Sequence, residues 1–470
     1  MPRKPVKKPS ASASKRKAFS LRPTPRTDVR KKETKQAAKE PPKPSGKFRS
    51  VRGMRDILPE EYARWTHLYR SLDKSVREFG YRRIEVPMLE FADLYKRSVG
   101  EGTDIVEKEL FEFTTRGGDR VAMRPEMTAG VARAFLENGM QVWAKPIKLF
   151  ACGSVFRYDR PQAGRYREHR QASFEVFGEV DPILDAQLIQ AALRVLRGAG
   201  LKHVHFLVNS LGMAEDRKEY RDLLKAHLRS NRRHLCEHCR ERMKKNPLRV
   251  LDCKEESCRE VAQGAPHLID HLSKESHDHF KRVLEYLDEL EISYEIDPFL
   301  VRGLDYYNDT VFEVVCNDGS ESEEKPLSIG GGGRYDDLIR DLGGEDTPAA
   351  GFGLGLDRII LEMEKQNTKL YQEPKPRVFL AQLGEMAKKK SLNLFEQLEK
   401  NGILLTESFG RGALKSQLRQ ASKAGAELTI ILGQKEALDQ TVIVKDMRTG
   451  SQETVPQDKL VEFVKKALRK

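Results

Sequence analysis

Nowhere in its 470 residues does the chain hold a run of about 18 apolar side chains, so no helical membrane span is expected. Its start has no apolar leader core, so secretion is not expected either. Outside a short segment it also lacks excess charge. Residues 1–47 carry sixteen Lys/Arg against three Asp/Glu, a net +13 that equals the net charge of the whole chain. The remaining residues balance at 68 basic and 68 acidic. Such a chain is long enough for two or three domains with full cores.

The Lys/Pro/Ser/Ala-rich segment 1–47 has no apolar stripe to offset the cost of ordering, and is read as a disordered basic tail. An electrostatic arm for RNA, without sequence readout, is one function for it. A solubilising extension or a transit peptide are the others, the last opposed by its Pro content and missing amphipathic period.

Chemistry concentrates in Phe156–Gly178, FRYDRPQAGRYREHRQASFEVFG. An apolar run, Ile147–Phe156, enters a basic loop, Arg160–Arg170, which leads into an alternating run, Gln171–Phe177. In an extended strand Gln171, Ser173 and Glu175 share one face, and Ala172, Phe174 and Val176 the other. Arg157, Arg160, Arg165, Arg167 and Arg170 lie on the connecting hairpin. Guanidinium groups grip phosphate oxygens in pairs and keep their charge. Unless the hairpin is simply a solvated basic loop, a polyphosphate pocket beside a hydrogen-bonding ligand is the reading.

This stretch resembles motif 2 of class II aminoacyl-tRNA synthetases, and RPQAGRYREHRQ resembles the bacterial-type histidyl-tRNA synthetase family in particular. The resemblance extends over residues 50–470, with five motifs in family order. It implies an α+β class II catalytic domain with an antiparallel sheet core over 48–370, a helical insertion at about 213–290, and a C-terminal α/β anticodon-binding domain over 375–470, where strand and helix patterns alternating from Arg377 read as a largely parallel sheet. The helix Glu60–Phe79 and a strand Tyr81–Pro87 resemble motif 1, which implies a homodimer. AGFGLGLDRII (Ala350–Ile360) resembles motif 3, with Asp357 where Glu is usual, and LVRGLDYY (Leu300–Tyr307) and SIGGGGRYDDL (Ser328–Leu338) resemble the two signature peptides of the histidine enzyme.

By the same resemblance, ATP and L-histidine form histidyl-adenylate, and the histidyl group passes to tRNA(His). Arg157 and Arg302 face the α-phosphate and Arg358 the γ-phosphate, with Mg²⁺ bridging the β and γ oxygens. Asp159, Arg165, Arg167, Gly353 and Gly355 are the further ATP-binding residues. Glu101, Gly102 and Thr103 hold the histidine ammonium, while Gln171, Glu175, Tyr306 and Tyr307 surround its imidazole, which offers one donor and one acceptor when neutral. Arg160 and Gln162 meet the 5′ end of the tRNA. Arg411, Lys415 and Arg419 form a basic helical stripe suited to RNA backbone, or a solvated charged face. Cytoplasmic location is the corresponding expectation.

Four of the six cysteines stand as Cys236-x₂-Cys239-x₁₃-Cys253-x₄-Cys258. Two close pairs at that separation can form a structural Zn²⁺ site, or remain reduced thiols in a reducing cytosol. Two other functions compete with the main reading. One is a non-catalytic histidyl-synthetase-like regulatory subunit of histidine biosynthesis, opposed by Arg302, Tyr306, Tyr307 and the C-terminal domain. The other is a class II enzyme for another amino acid, opposed by Glu175 and LVRGLDYY.

Overall fold

The computed structural model describes residues 48–162, 164–316, 327–371, 374–408 and 412–469. The expected tail 1–47 and Arg411 lie outside them.

The alternation read at 171–177 becomes the centre of an eight-stranded sheet. In spatial order its strands are Arg82–Arg83, Ile147–Phe156, Glu168–Phe177, Ala349–Gly355, Leu327–Arg334, Asn308–Cys316, Val204–Ser210 and Tyr294–Ile296. The two outermost pairings are parallel and the five between them antiparallel. One face is apolar. Phe174 stacks on Phe352 of the neighbouring strand, centroids 4.6 Å apart, and both bury against four helices: Pro59–Glu78, Ile183–Gly198, Lys274–Glu289 and Leu356–Lys365. Trp65, Leu68, Leu72 and Val76 supply the first helix's buried stripe, at the spacing that places side chains on one side of a helix. The opposite face carries Gln171, Ser173 and Glu175 and is left for the site.

Two expectations about strands are corrected. Of Tyr81–Pro87 only Arg82–Arg83 is strand, with one more backbone bond from Ile84 to the Phe150 carbonyl; the Val86 carbonyl is taken by Arg124, Pro87 has no N–H for a ladder, and the chain turns away to form Leu89–Phe91 in a separate three-stranded sheet. The C-terminal sheet, ordered Leu405–Glu407, Val378–Gln382, Leu428–Leu432, Thr441–Asp446 and Gln452–Pro456, is evenly mixed rather than largely parallel. Its last strand follows a tight reversal in which Asp446 accepts from the Arg448 and Thr449 amides and Gly450 takes a positive φ.

The insertion is helical as expected, built from Ala214–Ser230, Glu237–Lys245, Glu256–Gln263 and Lys274–Glu289.

Candidate active site

Register sets the floor of the site. Glu168–Phe177 pairs with Ala349–Gly355 so that Glu175 lies opposite Gly351, Ser173 opposite Gly353 and Gln171 opposite Gly355. A Cβ at Gly351 would sit 2.2 Å from Glu175 Oε2, and one at Gly353 2.3 Å from Gln171 Nε2. The polar side chains of one strand therefore lie across the bare backbone of the next. Gly331, one strand further, gives the same clearance to Arg302, whose Nη1 would be 2.6 Å from a Cβ there.

Glu175 is 1 % exposed. Its Oε1 accepts from the Thr128 hydroxyl at 2.8 Å and its Oε2 from the Tyr335 hydroxyl. Burial pushes its carboxyl up to about 8, although both donors favour the ionised form. Tyr306, Tyr307 and Tyr335 pack around it, with centroids 4.7 Å apart for the first two and 5.4 Å for Tyr306 and Tyr335. Nearby Glu126 receives the amides of Thr128 and Ala129 at the start of the Thr128–Glu137 helix.

Above this floor opens a cleft of about 200 Å³, lined by Arg157, Arg302 and Arg358 together with Gln171, Tyr306 and Tyr307. Asp159, Arg165, Gly353 and Gly355 also line it. Arg358 falls in the first turn of Leu356–Lys365, and bonds the Ser328 carbonyl at 2.6 Å and the Gly164 carbonyl at 3.1 Å. Arg157 donates to the Pro125 carbonyl at 2.8 Å. The Arg302 Nε is buried without a hydrogen-bond partner. Burial lowers the pKa of Arg358, and the nearby cations Arg165 and Arg157 lower it further. Burial likewise takes His169 down to about 3, helped by Arg157 and Arg358, so it lines the cleft uncharged. Cations that repel one another across a water-filled cleft favour a polyanion between them.

Other predicted residues lie elsewhere. Arg167 is outside the cleft lining, stacked over Tyr158 at 3.7 Å and donating to the Asp159 carbonyl at 3.2 Å, where it braces the hairpin. Asp159 and Arg165, within the cleft lining, pair with each other. Glu101 and Gly102 line a second cavity with Asn246 and Asp305, while Thr103 is buried and its hydroxyl donates to the Gly100 carbonyl. Arg160 and Gln162 are exposed at the hairpin tip. Lys415 and Arg419 are exposed on Leu414–Lys423, whose opposite side buries Gln417 and Ala421.

Sequence reasoning missed Tyr335, Thr128 and His169. Tyr335 follows the glycine run directly, and the signal available was an aromatic hydroxyl placed immediately after backbone that must come close to something. Thr128 follows Arg124–Met127, and His169 sits among the arginines of the hairpin.

Four of the six cysteines converge. The Sγ atoms of Cys236, Cys239, Cys253 and Cys258 all lie within 4.8 Å of one another.

A family model described as histidyl-tRNA synthetase matches residues 53–359, and one described as an anticodon-binding domain matches 377–467. The chain belongs to the histidyl-tRNA synthetase family. A histidine–tRNA ligase of Dehalococcoides mccartyi is 43% identical over 422 residues, 90% of this chain and 100% of that one. The apo histidyl-tRNA synthetase of S. aureus superposes with a TM-score of 0.73 at 33% identity, covering 88% of this chain and 99% of that one. A Bacillus halodurans C chain titled ATP phosphoribosyltransferase regulatory subunit/histidyl-tRNA synthetase shares the fold at 22% identity and a TM-score of 0.59, over 83% of this chain and 99% of that one. Membership accounts for the class II catalytic fold and the separate C-terminal sheet. Among the described residues no helix is long and apolar enough to cross a membrane.

Proposed function

We propose that this chain is a histidine–tRNA ligase that activates L-histidine with ATP and transfers it to tRNA(His). The observation that carries the reading is the convergence of Arg157, Arg302 and Arg358 on one cleft with Gln171, Tyr306 and Tyr307, over a floor containing Glu175. Fixed cations and a pair of hydrogen-bonding groups suit an in-line displacement at phosphorus beside a bound heterocycle.

In the first step a histidine carboxylate oxygen bonds to the α-phosphorus, the bond to the bridging oxygen breaks, and pyrophosphate leaves. Arg157 and Arg302 hold the α-phosphate oxygens as charge gathers on them, and Arg358 holds the γ-phosphate. In the second step a ribose hydroxyl at the tRNA 3′ end attacks the histidyl carbonyl and AMP departs. The three carboxylates lining the cleft are already engaged: Asp159 by Arg165, Asp357 by Arg55 and the Arg170 amide, and Glu126 by two amides. Mg²⁺ would then be held chiefly by ATP rather than by these carboxylates, and would supply charge neutralisation to the departing pyrophosphate.

Glu175 accepts from one imidazole nitrogen and Tyr307 serves the other, with Gln171 and Tyr306 closing the pocket. Such a site rejects isosteric amino acids by roughly 10⁴-fold, because its own polar groups would be left unpaired. Glu101 and Thr103 take the ammonium once their loop, which in this structure turns Glu101 into the second cavity, swings toward the cleft. Arg160 and Gln162 meet the tRNA 5′ end, and Lys415 and Arg419 its anticodon arm. A cytoplasmic homodimer completes the reading. Histidine-dependent pyrophosphate exchange by the purified chain tests it: exchange driven by histidine and by no other amino acid supports the assignment, and absence of exchange sinks it.

A further inference from the structure

Outside the cleft, the cluster of metal-ligating side chains among the described residues is the cysteine quartet of the insertion. Cys236 caps the Glu237–Lys245 helix and Cys239 lies in its first turn; Cys258 lies in the first turn of Glu256–Gln263. Cys253 comes from the link between these helices. Cys236 Sγ and Cys253 Sγ are 4.0 Å apart, and four thiolates on one tetrahedral zinc require sulfur separations of about 3.8 Å. Backbone amides already point at the sulfurs: Cys236 N donates to Cys258 Sγ at 3.1 Å and Cys239 N to Cys236 Sγ at 3.4 Å. N–H groups in that position stabilise and orient thiolate ligands.

The segment between the second and third cysteines then reaches toward the cleft. Arg242 and Arg249 both donate to Asp104 Oδ2, at 2.5 and 3.1 Å. Lys245 pairs with Glu107 at 2.8 Å, and Asn246 donates to Asp305 Oδ1 at 2.9 Å. Arg249 also donates to the Arg302 carbonyl at 3.4 Å. One short stretch, closed at both ends by cysteines, thus grips the loop bearing Glu101 and Thr103 and the peptide bearing Arg302 and Tyr306.

We propose that Cys236, Cys239, Cys253 and Cys258 bind one Zn²⁺, and that this ion fixes the 237–253 segment so that its contacts with Asp104 and Asp305 hold the histidine-binding loop and Arg302 in place. The metal takes no part in the reaction; it sets the affinity for the amino acid. The second half of this inference rests on the function proposed above, and the first half does not.

The test uses the full chain purified under reducing conditions. Elemental analysis is expected to find one Zn²⁺ per chain, and exchange with Co²⁺ to give the thiolate-to-cobalt and tetrahedral ligand-field absorption of a four-sulfur site. Cys253→Ser and Cys258→Ser should remove both. Stripping the metal with a chelator should raise the histidine KM roughly tenfold, within the usual range of coupling between sites, while the ATP KM moves less than about twofold, and added Zn²⁺ should reverse the change. Amides of 100–109 should lose hydrogen-exchange protection in the stripped protein. Asp104→Asn should keep the metal yet raise the histidine KM. A chain with neither bound zinc nor a cobalt–thiolate spectrum overturns the site. A stripped chain with unchanged histidine KM and unchanged exchange at 100–109 overturns the coupling. If the zinc-replete chain shows no histidine-dependent pyrophosphate exchange, the function reading fails instead, and metal content and amide exchange still judge the cluster.

Discussion

Tyr335 donates its hydroxyl to Glu175 across the strand that separates them, passing over Gly351, where a Cβ would come within 2.5 Å of the Tyr335 oxygen. The contact needs the acid, the phenol and an intervening residue without a side chain, and each comes from a different strand or strand end.

Tyr335→Phe should therefore strand Glu175 Oε2 inside the protein. A lost partner for a buried acceptor costs about 1–3 kcal/mol, to be read as a lower urea midpoint. The histidine KM should rise while the ATP KM stays near wild type. An unaltered histidine KM would mean that Tyr335 only supports packing.

Gly351 and Gly355 should behave oppositely. Alanine at 351 meets Glu175 Oε2 at 2.2 Å and the Phe174 carbonyl at 2.5 Å, so overpacking costs about 1–3 kcal/mol or more. Alanine at 355 meets nothing closer than the Ile329 carbonyl at 3.5 Å and should fold normally. A raised ATP KM in Gly355→Ala then reports the nucleotide lying against that strand, since no protein atom objects to the methyl group. Equal thermal losses in both variants would refute this account.

Glu175→Ala should raise the histidine KM sharply with ATP binding spared, and Arg302→Ala should cut pyrophosphate exchange by orders of magnitude. Removing the extra 5′ nucleotide of tRNA(His) should hurt the wild type far more than Gln162→Ala; equal losses would clear Gln162 of that task.

Glu175 also gives stability a pH dependence. Its carboxyl is raised from the ordinary 4.5 to about 8 by burial, so the folded state holds the proton more tightly than the unfolded chain. The associated stability is complete below pH 4.5 and is lost as pH climbs through 8, by roughly 5 kcal/mol at most. Comparing urea midpoints at pH 5 and 8.5 should show a smaller decline in Glu175→Gln than in the wild type.

Arg334, beside Tyr335, is 1 % exposed and donates to Asp185 at 2.6 Å, with His279 on the same carboxylate at 2.8 Å. Burial raises the Asp185 carboxyl, but Arg334 and His279 outweigh it and hold the group below its ordinary 3.8. Asp185→Asn removes the nearer of two carboxylates paired with a buried cation, Asp336 remaining at 3.3 Å, and should cost up to about 3 kcal/mol. In the wild type that stability is present at neutral pH and lost as pH falls below about 4, which acid titration of the folded state can follow.

The strands Ile147–Phe156 and Glu168–Phe177 were legible because apolar run, basic loop and alternation mark three environments in succession. The cations of the cleft were legible for the same reason, as arginine beside glycine has few structural uses. Tyr335 was hidden because nothing local distinguishes a phenol that packs from one that donates; only the neighbouring strand supplies the acid. The mixed pairing of the C-terminal sheet was hidden too, since strand direction is set by connections rather than by the strands themselves. Glu101 and Arg167 carry suitable chemistry, yet their loops point them into other surroundings.

The run of glycines through two adjacent strands means that the pocket's wall there is peptide, not side chain. A wall of that kind has little chemical variety to draw upon: at Gly331, Gly351 and Gly353, where any side chain collides, narrowing it or recolouring its polarity by substitution is closed off. Any drift toward a different amino acid would have to be written in the tyrosines and the buried acid beside them, which leaves this enzyme few routes by which to change its mind about its substrate.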